Sequence, residues 1–428
     1  MAASPQNVSQ GGSPVILDTV AANKLGKSPE LQRIANALLI VALAAATLWD
    51  YRLFDVRVFD GVALLCLVGW LALAPESRSG FLSRRRRYWL LFSTMVVYAL
   101  LGYALHGHRS SLAILALATI GFLLIGRRDW LRAIGPSLWI LVGIHVAFFL
   151  VQFVVFYGFR YEIDYQTVLG NASRIMLSPN HMRAAGLFQE PNSYCLNIFI
   201  LGTIVALQRS NPILILAAAC TMAISESIWG VSAAFMLLLL YAICRFRSPR
   251  QMIVGLVTLS IATAAVFNAY LWLTKQPEES LPFFYTRALN VPSDPSTLAR
   301  YMRTTCSAVG KVESADIPQT VRSLQWIFGE GLSTHFFTEC LSANGIAFLV
   351  KSLGGVGLLA LLAGFFRALQ GLPASAKIHA FLAIGFSFTT YPVVTYLIFW
   401  IWLAAIFGLL RQRNSAPDAL GLGTAAPV

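Results

Sequence analysis

Blocks of roughly 17 to 25 apolar residues recur along this chain, the length a helix needs to cross about 30 Å of hydrocarbon. Strands of a membrane barrel would alternate apolar and polar residues instead. The blocks are continuous, so the spanning elements are helices. Composition agrees. Of 428 residues, 57% are hydrophobic and only 12% charged, whereas an ordinary soluble domain carries about 25% charged residues. The expected fold is an all-α integral membrane protein of about 12 transmembrane helices.

Candidate spans are Ile34 to Trp49, Phe59 to Leu73, Tyr88 to Leu105, Ser110 to Gly126, Ile134 to Phe156, Tyr194 to Gln208, Asn211 to Ile224 and Trp229 to Cys244. Four more follow: Gln251 to Thr274, Asn344 to Phe366, Ile378 to Pro392 and Val393 to Leu410. The last two divide one apolar block of about 33 residues at Thr390-Tyr391-Pro392, because proline disrupts a helix and the block exceeds one span. Left undivided, it would lower the total by one. The spanning region is thus residues 34–410, between a tail at 1–33 and a tail at 411–428.

A net charge of +13 would suggest nucleic acid in a soluble protein. Here the basic residues flank apolar blocks, which topology explains better. With the N-terminus in the cytoplasm, the inside segments are SRSGFLSRRRR, RRDWLR, RS, RFRSPR, RALQGLPASAK and RQR. The outside turns DYRLFDVRVFD, HGHRS, SESIWG and TTYP carry fewer basic residues and several acidic ones. Lysine and arginine concentrate inside, as the positive-inside rule requires, and both termini are expected in the cytoplasm. The first 33 residues, polar and rich in Ser, Gly and Asn, lack the apolar core and cleavage site of a signal peptide and read as a disordered tail.

Two outside segments are long, 157–193 and 275–343, and loops of that kind commonly carry function. They contain Arg160, Arg174, Arg183, Arg287, Arg300, Arg303 and Arg322, although topology disfavours arginine there. A guanidinium is a planar fork that pairs bidentately with phosphate. The simpler use for any one of them is a surface pair with Glu162 or Asp164, or with a lipid head group. Two stand in richer surroundings. Arg183 opens RAAGLFQEPN, with Gly186, Glu190, Pro191 and Asn192, immediately before a span; Arg322 opens RSLQWIFGEG, with two glycines behind it.

On these residues the chain resembles the O-antigen polymerase and ligase superfamily, the Wzy-type polymerases and their ligase relatives. The resemblance rests on an Arg followed by G-x-F-x-x-P-N before a middle span, an Arg ahead of a Gly-rich turn in a late loop, and the helix that follows, ANGIAFLVKSLGGVGLLALL. It implies a GT-C-like glycosyltransferase of the bacterial inner membrane, with its active site facing the periplasm. The reaction it implies moves a growing glycan from polyprenyl pyrophosphate onto a new lipid-linked repeat unit. Ligase relatives usually carry a His beside the Asn that opens the late helix, and here Ala343 precedes Asn344, which favours the polymerase branch. Many relatives place an Arg in a Ser-Arg-small turn between two middle spans, where this chain has Ser225, Glu226 and Ser227. Either the positive charge comes from elsewhere or the acceptor site differs.

The candidate residues take roles from that chemistry. The leaving pyrophosphate gains charge as the anomeric bond breaks, and Arg183 and Arg322 are the candidates to stabilise it. Glu190 is the candidate base for the attacking hydroxyl, or else a charge at a helix N-terminus. Gly186, Asn192, His335, Asn344 and Lys351 are candidate substrate-binding residues; Lys351 lies well inside a span and either reaches the pyrophosphate or snorkels. Cys306 and Cys340 share the large outside loop, where an oxidising periplasm permits a disulfide. No compact D-x-D and no His/Cys cluster occurs outside, so neither metal nor cofactor is expected. Partners are a polyprenyl-pyrophosphate-linked oligosaccharide, membrane lipids, and a chain-length regulator and flippase of the same route, with no nucleic acid. The rivals are an O-antigen ligase, a transporter or flippase of lipid-linked sugars, and an assembly subunit; a transporter should place polar groups at mid-membrane.

Overall fold

The computed structural model describes residues 29–49, 57–74, 85–125, 127, 129–168, 175–178, 181–208, 211–245, helical positions within 250–265, 319–332, 345–391 and 393–415. The described chain is helical apart from one short strand pair. The helices are α1 (Pro29–Ala46), α2 (Val58–Leu73), α3 (Trp89–His106), α4 (Arg109–Leu124) and α5 (Asp129–Phe159), followed by α6 (Pro191–Leu207), α7 (Pro212–Ile224) and α8 (Ile228–Arg245). Then come α9 (Gln319–Phe328), α10 (Gly345–Ala368), α11 (Ala374–Ser387) and α12 (Leu397–Ser415). Between α5 and α6, β1 (Met176–Ser178) pairs antiparallel with β2 (His181–Met182).

Among the described residues, three helices are long and apolar enough to cross a membrane: Arg86–His106, Ala133–Phe159 and Gly345–Ala368, of 21, 27 and 24 residues. At 1.5 Å per residue each covers about 30 Å or more. Shorter apolar helices accompany them, among them α2, α4, α6, α7 and α12. Large apolar side chains point outward from several helices, with Leu65 at 73%, Phe159 at 76% and Leu359 at 70% exposure. In water such a belt would aggregate; against lipid it costs nothing. This is the construction of an integral membrane protein.

Most boundaries differ from the sequence expectation by one to three residues, and the largest shifts, of four or five, fall at the start of the first helix, at the start of the helix expected from Ile134, at both ends of the one expected at Ile378–Pro392, and at both ends of the last. The first helix starts at Pro29 rather than 34, because polar residues can extend a helix beyond its apolar span: Glu30 sits in the first turn, and Gln32 donates to Asn36 at 3.1 Å. The last runs to Ser415 rather than 410. The remainder of both expected tails lies outside the described residues, as does most of the expected span at 251–274. The final apolar block is divided: α11 ends at Ser387, a 3-10 turn covers Val393–Thr395, and α12 begins at Leu397.

The centre of the bundle is α6. Every residue from Pro191 to Leu207 is buried, as expected of a helix that is apolar all round. It packs against α5, α7, α8 and α12. Proline stands at the first position of both α6 and α7, where its missing N–H has no partner to lose, and Asn211 caps α7 by accepting from the Ile213 N–H at 2.9 Å.

The helix ends sort into two sets. At one end, arginines take up the last carbonyls of helices that stop there. Arg85 donates to the carbonyls of Phe122 and Leu123 at 2.9 and 2.6 Å, finishing α4. Arg127 donates to Ala74 at the close of α2, and Arg411 to Ala368 at the close of α10, each at 2.5 Å. These carbonyls lack intrahelical donors, and the helix dipole favours a cation beside them. The arginines that the charge pattern assigns to the cytoplasm therefore also act as caps.

Arg85 is fully buried, so Arg85→Leu should strip two carbonyls of their donors. A loss of about 2–6 kcal/mol is expected, at about 1–3 per unsatisfied group, read as an earlier thermal unfolding transition in detergent, with Arg85→Lys recovering part of it.

Candidate functional site

The opposite end of the bundle gathers the segments expected outside. The chain leaves α5 through Arg160, at φ 57, and makes a single turn at Tyr165–Val168. Asp164 caps that turn, accepting from the N–H groups of Gln166 and Thr167 and from the Thr167 hydroxyl. The segment that carries Arg183 then returns across α5. Gln152, fully buried on α5, accepts the N–H groups of both Ala185 and Gly186 at 2.8 Å and donates to the Ile163 carbonyl at 2.8 Å. Tyr157 donates to the Met182 carbonyl, Gln166 to that of Leu187, and the Arg183 N–H to that of Ile175. Side chains of α5 and of the single turn thus take up several of the loop's buried backbone groups, as burial requires.

Gly186 sits at φ +56, where a Cβ would come within 3.3 Å of the Phe149 backbone. Glycine permits the turn and the close approach. Phe188 is buried beyond it, near the rings of Trp49, His145 and Tyr194. The loop is pinned at both of its ends, and Arg183 lies between the pins.

The half-buried Arg183 donates through Nη2 to the Glu226 carbonyl at 3.4 Å. Glu226 is itself unusual: it is buried and adopts φ 57, the left-handed region that a residue with a Cβ rarely enters. Strain of that kind collects at functional sites. Ser225 and Ser227 hold the turn in place, the first donating to the Met222 carbonyl, the second donating to Asn192 Oδ1 and accepting from the Gly230 N–H. The Arg183 guanidinium, from another segment, thus lies against the Ser225-Glu226-Ser227 turn.

Glu190 is the N-cap residue of α6, but its carboxylate makes no capping bond to the helix. It accepts instead from the hydroxyl of Tyr391, 201 residues away in the turn between α11 and α12. Asn192, nearly buried, is committed to Ser227. The structure therefore brings Arg183, Gly186, Glu190 and Asn192 together at the N-terminus of the most buried helix. It adds Gln152, which nothing in the sequence singles out, and Glu226 and Tyr391, which the sequence marks only as a departure from a family pattern and as part of a break between spans.

A second cluster adjoins the first through α10. Helix α9 ends at Phe328, and residues 329–332 pass between α3 and α10. The N–H groups of Glu330 and Gly331 donate to the carbonyls of Lys351 and Ser352 at 3.1 and 2.9 Å, and that of Leu332 to Tyr98 at 2.8 Å. Gly354, at φ 57 and ψ −171, interrupts α10 just beyond those carbonyls. The passing segment supplies donors where the helix breaks, a requirement in a medium without water. Lys351 lies 4.0 Å from Glu330, and His106 donates through Nε2 to the Glu330 carbonyl at 3.1 Å. Lys351 thus faces a carboxylate rather than simply reaching for the interface. At the start of α10, the Ile346 N–H donates to Phe388, and Gly345 lies where a Cβ would be 2.3 Å from the Tyr391 carbonyl. The residue whose hydroxyl binds Glu190 therefore also lies close against the start of the helix that carries Lys351.

Arg322 belongs to α9, which packs on α10; its side chain lies outside the described residues, as do His335, Asn344, Cys306 and Cys340. Helix α9 turns Leu324, Trp326 and Ile327 outward, the arrangement of a helix lying in a membrane interface.

Removing the acceptor of two buried N–H groups should cost about 1–3 kcal/mol for each. Gln152→Leu is accordingly expected to destabilise the fold and to speed hydrogen exchange at residues 183–190, whereas Gln152→Glu, which keeps the acceptor, should protect that loop better. Equal exchange in the wild type and the leucine variant would remove Gln152 from this role.

No protein family model matches the chain, and no curated protein matches it.

Proposed function

We propose that this protein is a polysaccharide polymerase of the bacterial inner membrane, a glycosyltransferase with about twelve spans in a GT-C-like architecture, both termini cytoplasmic and its site open to the periplasm. The observation that carries the reading is Arg183, on a loop tied to Gln152, with its guanidinium on the backbone of the strained Glu226 turn and Glu190 seven residues on at the N-terminus of a helix buried along its whole length. A fixed cation next to an acid suits a reaction that expels a phosphate and accepts a proton.

In this mechanism a hydroxyl of the incoming lipid-linked repeat unit attacks the anomeric carbon of the growing glycan. The bond to the pyrophosphate oxygen breaks, and polyprenyl pyrophosphate leaves. Arg183 pairs with the diphosphate, and its charge counts for more as the leaving group gains charge. Arg322, on the helix that packs against α10, is the candidate second cation. Glu190 accepts the hydroxyl proton, and Tyr391 fixes its orientation. No metal ion enters the mechanism. A chain-length regulator and a flippase would act on the same lipid.

A second reading, a transporter or flippase of lipid-linked sugars, draws on the break in α10 at Gly354 beside Lys351 and Glu330. Interrupted helices with polar groups are a device of transporters. The ligase alternative has no comparable feature in its favour.

Purified protein supplied with a synthetic polyprenyl-pyrophosphate repeat unit separates these readings. A ladder of longer glycans is expected; a single transfer to lipid A core would mean a ligase, and translocation across vesicles without new bonds a transporter. Arg183→Ala and Arg322→Ala should each abolish extension while the protein still inserts, and Glu190→Gln should slow it by about 100- to 10,000-fold. Full activity in both arginine variants would remove the proposed site.

A further inference from the structure

The end of the bundle away from Arg183 holds a different polar cluster. Cys244, in the last turn of α8, and His379, in the second turn of α11, are both buried, with Sγ 3.2 Å from His379 Nδ1. A cavity of about 160 Å³ adjoins them, bounded also by Pro373, Ser375 and Leu410. Pro373 and Ser375 are exposed. The cavity therefore opens at the start of α11 and ends on the thiol.

Burial alone would make Cys244 an inert, small apolar residue. Three features of its surroundings argue otherwise. An imidazole nitrogen lies within hydrogen-bonding distance and can take the thiol proton. The cavity is far larger than the volume one water needs, so a small reagent fits against the sulfur. Its mouth lies at a helix N-terminus, where the backbone favours negative charge.

We propose that Cys244 is a reactive thiol activated by His379, a modification site for small soft electrophiles of which a peroxide is the simplest. In that step His379 takes the thiol proton, and the thiolate sulfur attacks one peroxide oxygen. The O–O bond breaks, an S–O bond forms, and the departing hydroxide takes the proton from His379 to leave as water. Sulfur loses two electrons to the peroxide and becomes a sulfenic acid. On the proposed topology the site faces the cytoplasm, where thiols are otherwise kept reduced.

The test uses the full chain in detergent or membrane vesicles, treated with hydrogen peroxide and then dimedone, with the adduct at each cysteine quantified by mass spectrometry. Cys195 and Cys220, both buried, serve as internal references. Cys244 should label at least about tenfold faster than either, as a thiolate-forming cysteine beside a base should. His379→Gln, which keeps a polar side chain but no base, should slow Cys244 about tenfold while leaving the reference cysteines unchanged. Labelling of Cys244 no faster than Cys220 in the wild-type protein would overturn the proposal without any variant. An unchanged Cys244 rate in folded His379→Gln protein would overturn it as well.

Discussion

A helix that stops or breaks where water is scarce leaves carbonyls and N–H groups that must find partners inside the protein. Much of the architecture of this chain answers that requirement. At one end, Arg85, Arg127 and Arg411 take up the last carbonyls of α4, α2 and α10. Within α10, the break at Gly354 is met by the N–H groups of Glu330 and Gly331. At the other end, Gln152 takes up two N–H groups of the loop before α6. The same requirement that stabilises the fold decides where its irregular backbone can lie.

The candidate site follows from that placement. A loop whose backbone is satisfied from both sides does not drift, so its side chains are held at fixed positions. Arg183 is consequently a preorganised cation rather than a mobile surface charge, and electrostatic stabilisation depends on that difference. The carboxylate of Glu190 is held from a distant part of the chain by Tyr391, and the buried Glu226 sits in a strained turn beside the guanidinium. These groups stand at the N-terminus of α6, which is buried along its whole length. A site built on a helix buried along its whole length can hold its geometry while the outer helices face lipid.

The helices were legible in the sequence because each is announced by its own apolar run, and the division of the last block by local turn chemistry. So was the loop around Arg183: Gly186 and Pro191 mark a turn and a helix start with local signals, and both act that way. The supporting contacts were not legible. Gln152 reaches residues 33 and 34 positions away, and Tyr391 reaches Glu190 across 201. No local pattern encodes such a pair. Lys351 read as a costly charge in a span because Glu330, its partner, arrives from another segment. Glu226 read only as a departure from a family pattern, since its burial and positive φ depend on how α7 and α8 meet around it.

The claim on which all this turns is that Arg183 receives the diphosphate of a carrier lipid beside Glu190. A cryo-electron microscopy map of the protein with a polyprenyl-diphosphate-linked saccharide bound would test it directly. The diphosphate is expected within hydrogen-bonding distance of the Arg183 guanidinium, with the sugar lying toward Glu190. A diphosphate bound at the end of the bundle lined by Arg85 and Arg411, with Arg183 still donating to the Glu226 carbonyl, would contradict it.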